Sequence, residues 1–265
     1  MIYLAIDFGG GSGRVIAGKL ENGKLEMELI HRFPNRQVRL GNHVYWDFLA
    51  LFEDMKTGLK MAGAKGLKVD GIAIDTWGVD FGLIDQDGNL LGNPVCYRDT
   101  RTKGMPEEVF KQIDPSAHYA TNGIQVMEIN TLFQLYSLKK ANSPQLEKAA
   151  HLLFTPDLFS YYLTGEANNE YTIASTSELG EYAFTIVRHA EDAAKGRHEV
   201  DLVVFLAVLR HLGKQDDEED GEDDQTDNQV WIDQYRKVVF LDCLKLIIRE
   251  IGAPSRIKRV EFCLY

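Results

Sequence analysis

Cysteine is scarce in this chain: three residues in 265, Cys96, Cys243 and Cys263, widely separated and odd in number. Such a set builds neither a disulfide framework nor a zinc site, and it points to a reducing, cytoplasmic setting. Positive charge is in deficit as well. Lysine and arginine total 29 against 40 aspartates and glutamates, for a formal net charge of −11. That balance argues against a nucleic-acid partner, which wants a basic face, and against an anionic membrane surface. No apolar run approaches the ~20 residues of a membrane span. The N-terminus enters a strand-like run directly, with no signal peptide. What is present is a 45% hydrophobic chain, long enough for one large domain or two smaller ones with a real core.

The stretch that organises the chain is Ala5-Ile6-Asp7-Phe8-Gly9-Gly10-Gly11-Ser12-Gly13-Arg14-Val15-Ile16. An apolar run from Ile2 to Ile6 ends in Asp7, a glycine-rich bend follows, and Val15 to Leu20 resumes a strand. Glycines let backbone approach a ligand closely and turn N–H groups toward an anion. Ser12 adds a hydroxyl, Arg14 a fixed fork suited to phosphate, and Asp7 a carboxylate placed to hold a metal through water. The pattern is neither a P-loop, which needs a Lys-Ser/Thr pair opening a helix, nor a dinucleotide fingerprint. A plain glycine-rich hairpin turn is the competing reading.

Further along, Asn22-Gly23 marks a hairpin turn, and Leu25 to Phe33 reads as a third antiparallel strand. Pro34 to Asn42 reads as a polar, basic loop. Asp47 caps a helix whose apolar face is Phe48, Leu51, Phe52, Met55 and Leu59. Gly71 to Asp75 is a short buried strand, again closed by an aspartate. Later signals predict a short helix from Pro106 to Ile113, a turn at Thr121 to Gly123 and an amphipathic helix from Asn130 to Lys140. Cap-and-proline helix starts stand at Ser143-Pro144 and Thr155-Pro156, either side of a strand at Leu152 to Phe154. Three antiparallel strands, a helix and another strand are the opening order of a ribonuclease H-like, actin-like α/β fold, an analogy at fold level.

Two clusters carry polar chemistry. In Thr76-Trp77-Gly78-Val79-Asp80-Phe81, Trp77 offers a flat apolar face, Gly78 a bare backbone and Asp80 a carboxylate able to accept paired hydroxyls. That combination suits a sugar, and a core Trp beside a solvated Asp suits the string equally. In Tyr97-Arg98-Asp99-Thr100-Arg101, two arginines flank one aspartate, as in an ordinary loop ion pair.

These pieces together resemble the FGGY family of carbohydrate kinases, and within it the rhamnulokinases. The residues that carry the resemblance are 6–15, 71–81 and 97–102, then Gly123-Ile124-Gln125, Asn130 to Leu135, Pro156 to Tyr161, Tyr171-Thr172 and Ser175-Thr176, in the family's order over residues 1–178. The resemblance implies ATP-dependent phosphorylation of L-rhamnulose at its 1-hydroxyl in L-rhamnose breakdown, with ATP and Mg²⁺. It implies that Gly10, Gly11, Ser12, Gly13 and Arg14 hold ATP phosphates and that Gly78 lines the sugar site. Trp77 and Asp80 are the accompanying sugar-site candidates, Asp7 the metal candidate. One departure is Gly11, where the family usually has a serine.

The resemblance stops after Glu178. Such kinases continue to a His-Asp-Thr motif, whose aspartate is the catalytic base, and then to a second domain. No His-Asp-Thr string occurs in this chain, so the catalytic residue is unknown, and a partner chain is one source of the missing half. Residues 179–265 read as a mainly helical, unassigned tail, with an apolar run at 200–212 and a long helix at 229–251. Between them Asp216 to Asp224 holds eight acids and one glycine, a solvated loop without EF-hand spacing for calcium. His189, His198 and His211 are too scattered for a metal. The expected chain is therefore a kinase N-terminal domain of impaired activity, with a non-catalytic sugar- or nucleotide-binding relic and a truncated product as alternatives.

Overall fold

Alternation of apolar and polar side chains builds the central sheet of the computed structural model, which describes residues 1–179. Strand β1, Ile2–Phe8, buries Leu4, Ile6 and Phe8 on one face. It runs antiparallel to β2, Ser12–Glu21, which in turn pairs with β3, Lys24–Pro34. Asn22 and Gly23 adopt φ of 51° and 76°, so the β2–β3 link has the two left-handed residues of a tight hairpin turn. The next two strands are a hairpin, β4 (Gln37–Leu40) and β5 (His43–Trp46). The sequence predicts a loop over Pro34 to Asn42, and a hairpin forms there instead. Its Gly41-Asn42 turn sits between two four-residue strands, and those strands gain their hold from outside, through a Tyr45–Val95 bridge and the Asp99 carboxylate on the Val44 N–H.

Helix α1, Phe48–Ala64, starts where expected, with Asp47 accepting from the Ala50 N–H. Gly58 lets α1 lie on β2, because a Cβ there would stand 2.4 Å from Val15 Cγ2. Strand β6, Gly71–Asp75, then pairs in parallel with β1, giving the order β3-β2-β1-β6. It is less buried than expected: Ile72 is 48% exposed, since β6 is the outer strand of this sheet among the described residues.

Beyond the sheet, β7 (Phe81–Ile84) pairs with β8 (His151–Phe154), and a helical layer packs around them. Its helices are α2 (Met105–Val109), α3 (Pro115–Asn122), α4 (Thr131–Lys140), α5 (Pro144–Lys148), α6 (Thr155–Thr164) and α7 (Tyr171–Ala174). For helix α3 the sequence predicts only the turn at Thr121 to Gly123. It buries none of its side chains, so no apolar periodicity announced it, although Asp114-Pro115 and Gly123 are sound start and stop signals. Helix α4 is not amphipathic over its first seven residues: Thr131 to Ser137 are all buried, with the polar Thr131, Gln134 and Ser137 facing inward. Phe159 of α6 stacks on Phe8 at 4.3 Å and so ties the helical layer to β1. The acidic loop, the two tail helices and the scattered histidines fall outside the described residues.

Asp157, in the first turn of α6, carries a testable pH dependence. Its Oδ2 is buried without a partner, and burial pushes its pKa up to about 7 from 3.8. In the unfolded chain it ionises near its ordinary value. Folding therefore takes up a proton between about pH 4 and 7, and stability falls as pH rises through that window. Asp157→Asn is expected to unfold at higher urea than the parent at pH 8, by about 1–3 kcal/mol, with the gap closing near pH 4. An equal gap at both pH values would sink this assignment.

Candidate functional site

The glycine bend is a hairpin turn between β1 and β2, with Asp7 opposite Arg14 and Phe8 opposite Gly13. Gly13 must lack a side chain, because a Cβ would meet the Phe33 ring at 2.3 Å. The turn is closed by the Gly9 N–H donating to the Ser12 carbonyl at 2.9 Å. It is held from behind by Asn35, whose side-chain Nδ2 donates to the Gly9 carbonyl at 2.8 Å and whose backbone N–H donates to the Gly11 carbonyl at 3.2 Å. These bonds occupy carbonyls and leave the N–H groups of Gly10 and Gly11 out of the network, as an anion cradle requires. Asn35 was not singled out in the sequence. The available signal was an asparagine straight after a strand-closing proline.

Arg14 lies across this hairpin. Its Nη1 donates to Asp7 Oδ2 at 2.8 Å and its Nη2 to Ser12 Oγ at 3.3 Å, so the fork is aimed by two neighbours. In the other direction Asp7 is in parallel register with Asp75, the last residue of β6. Burial, and then the Asp7 charge, push the Asp75 pKa up to about 6. Two carboxylates side by side at the ends of parallel strands suit Mg²⁺, which takes one or two protein carboxylates and fills its shell with water and phosphate oxygens. Among the described residues no group of three or more His, Cys, Asp or Glu is arranged for a metal. A cation here would therefore draw the rest of its shell from a ligand.

Thr76, Trp77 and Gly78 leave β6 directly beyond Asp75, on the sheet edge where β1 enters its glycine turn. In open α/β sheets this carboxyl edge is where ligands bind. Trp77 is half-buried and packs on the buried Trp46 at 4.0 Å between ring centroids. Gly78 backs onto Thr176, whose Oγ1 would lie 3.1 Å from an added Cβ. Asp80 is only 1% exposed. Its Oδ2 accepts from Trp46 Nε1 at 2.6 Å, Trp77 Nε1 at 2.9 Å and the Tyr97 N–H at 3.1 Å, and its Oδ1 from Gln134 Nε2 at 2.9 Å. Burial pushes the Asp80 pKa up to about 6 against the pull of these donors.

The arginine cluster is not the loop ion pair that the sequence suggested. Asp99 accepts from the N–H groups of Val44 and Arg101 and pairs with His43 Nδ1 at 3.2 Å. The Arg101 guanidinium reaches Gln134 Oε1 at 2.7 Å, so it orients the amide that serves Asp80. Arg98 lies over the Tyr97 ring.

Residues 2–183 match the family model for the N-terminal domain of the FGGY carbohydrate kinases. The chain belongs to the FGGY family of carbohydrate kinases. Over 177 residues it is 48% identical to a rhamnulokinase of Bacteroides thetaiotaomicron, a stretch covering 67% of this chain and 36% of that protein. Over 176 residues it is 46% identical to a rhamnulokinase of Oceanobacillus iheyensis, covering 66% of this chain and 37% of that one. The chain thus spans little more than a third of the length of these FGGY relatives. Among solved structures, a ligand-bound xylulose kinase from Lactobacillus acidophilus superposes with a TM-score of 0.61 at 15% identity, over 75% of this chain and 40% of that one. The described α/β domain has the ribonuclease H-like, actin-like fold of FGGY sugar kinases, as its strand order led one to expect. No helix among the described residues is long and apolar enough to cross a membrane.

Proposed function

We propose that residues 1–178 are the N-terminal domain of a cytoplasmic, ATP-dependent sugar kinase whose sugar is L-rhamnulose, phosphorylated at its 1-hydroxyl. The observation that carries this reading is the parallel register of Asp7 with Asp75. It sets the glycine turn and the Trp77-Gly78 segment on one sheet edge, as a donor phosphate and an acceptor sugar require. The 43–48% identity to rhamnulokinases supports the choice of sugar. Under this reading Gly10, Gly11, Ser12 and Gly13 hold phosphate oxygens through backbone N–H groups, and Arg14 is held at the turn by Asp7. Asp7 and Asp75 would hold Mg²⁺. ATP would supply the transferable phosphoryl group, and Mg²⁺ would neutralise negative charge developing on its phosphate oxygens. Trp77 gives the sugar an apolar wall and Gly78 a close backbone approach. Asp80 stands behind that wall, since both its oxygens already accept N–H donors. No residue of the chain is assigned as the catalytic base.

Titration of the full chain with L-rhamnulose by calorimetry tests the reading. Saturable binding is expected, weakened about tenfold, or ~1.4 kcal/mol, by Trp77→Ala. Equal affinity for D-xylulose would overturn the substrate assignment, and no sugar binding at all would overturn the site.

A further inference from the structure

Val79 is a β-branched residue with φ of +68°, a conformation that side chains of its kind rarely adopt. The Asp80 N–H donates back to the Gly78 carbonyl at 2.9 Å, so the chain reverses over this single residue in a γ-turn of the strained form. The side chain is buried among Trp46, Cys96 and Tyr97. Strain of this kind persists only where surrounding structure enforces it, and it gathers at functional sites. The enforcement here comes from α4. Thr131 Oγ1 donates to the Val79 carbonyl at 2.7 Å, and Gln134 Nε2 lies 3.2 Å from the same oxygen. On the far side, the Thr155 N–H and hydroxyl donate to the Asp80 carbonyl at 3.1 and 3.0 Å. The two successive peptide units that follow Val79 are thus clamped by residues more than 50 positions away.

We propose that Val79 and Thr131 are positioning residues: Thr131 holds the strained turn, and the turn sets the Trp77 ring and the Gly78 backbone in the place where the sugar is bound. The proposal rests on the sugar-site reading above. Its logic is mechanical. Without the reversal at Val79, Asp80 could not sit inward under Trp46 while Trp77, three residues earlier, donates to the same carboxylate oxygen from the half-exposed side. The clamp from α4 is needed because Val79 does not prefer this conformation. Glycine would adopt it at no steric cost.

The test uses the full chain with Trp231→Phe, which leaves Trp46 and Trp77 as reporters; buried Trp46 is screened from acrylamide. Thr131→Val, which removes the hydroxyl donor at similar volume, is expected to raise acrylamide quenching and to weaken L-rhamnulose binding about tenfold. Thr131→Ser keeps the donor and is expected to behave as the parent. Adding Val79→Gly to Thr131→Val is expected to restore quenching and binding, while the urea midpoint stays low because a core side chain is lost. A merely structural Thr131 would instead give a double variant worse on all three measures, which would overturn the proposal, as would unchanged quenching in Thr131→Val. If the parent binds no sugar, the sugar-site reading fails, and quenching still decides whether the clamp sets Trp77. Should Thr131→Val not fold, Val79→Gly is compared with Val79→Ala in urea. The strained turn requires the glycine variant to be the more stable, and the opposite order overturns it.

Discussion

Asp80→Ala is expected to lower the unfolding free energy of the chain in urea by about 3–5 kcal/mol, with Asp80→Asn costing roughly half as much. The carboxylate accepts from two indoles, one backbone N–H and one side-chain amide, and its residue is 1% exposed. Alanine leaves the two indoles and the Tyr97 N–H with no acceptor, while Gln134 Nε2 keeps the carbonyls of Val79 and Ile129. An unpaired buried donor costs about 1–3 kcal/mol, and three such losses do not simply add, because neighbours relax. Loss of the carboxylate also removes its own burial cost, the cost that lifts its pKa to about 6, and this holds the net effect below the plain sum. Domains of this size are stable by about 5–15 kcal/mol, so the effect is a large share of the total. Asparagine keeps one acceptor oxygen but turns an NH₂ toward an N–H donor. A change under ~1 kcal/mol for alanine would mean that the Trp46–Trp77–Tyr97 cluster stands without its acceptor.

The purified 265-residue chain, given L-rhamnulose, ATP and magnesium, is expected to show no sugar-dependent ADP release in a coupled assay. Under the proposed reading it holds part of an acceptor pocket and a phosphate turn, and none of the described residues is assigned to accept the proton of the attacking hydroxyl. Asp7 is paired with Arg14, and both oxygens of Asp80 are engaged. Asp75 sits beside Asp7, in the place proposed for the cation. Loss of a general base alone costs about 10²- to 10⁴-fold in rate. The stretch shared with the Bacteroides rhamnulokinase covers 36% of that protein, and the proposed reading assigns none of the described residues to closure around donor and acceptor. Alignment of reacting groups and exclusion of water depend on such closure. These losses compound, since a bound acceptor gains little from an unaligned donor. Release near the ordinary enzyme range of about 1–10³ s⁻¹, abolished by Trp77→Ala, would place a base within residues 179–265 and overturn the expectation. Sugar binding without ADP release is the outcome the reading requires.

The two largest expected effects differ in how visible they were beforehand. The absence of a His-Asp-Thr string could be read directly, because a three-residue string is either in the chain or not. The Asp80 hub could not. In sequence Asp80 stands in a six-residue stretch that suits a carboxylate for sugar hydroxyls and a solvated Asp beside a core Trp equally. Three of its four donors come from positions 34, 17 and 54 residues away, and nothing local marks them. Asn35 and the β4–β5 hairpin were missed for a related reason. The asparagine matters through the glycine turn 26 residues earlier, and the hairpin's hold comes from Val95 and Asp99.

Sequence alone determined the parts whose physics is local. The strand–glycine–strand turn, the Asp47 cap on α1, the aspartates closing β1 and β6, and the αL glycines at positions 123 and 165 each follow from backbone preferences over a few residues. Enough of these motifs stood in order to place the chain in its family. The tertiary structure alone decided which groups meet: Arg14 with Asp7, Asp7 with Asp75, Asp80 with its indoles, and Val79 with Thr131. A hydrogen bond between residues dozens of positions apart leaves no periodicity in the chain. It becomes readable only when packing brings donor and acceptor within 3 Å and water is gone, and only then can a β-branched residue be held in a turn that it would not choose.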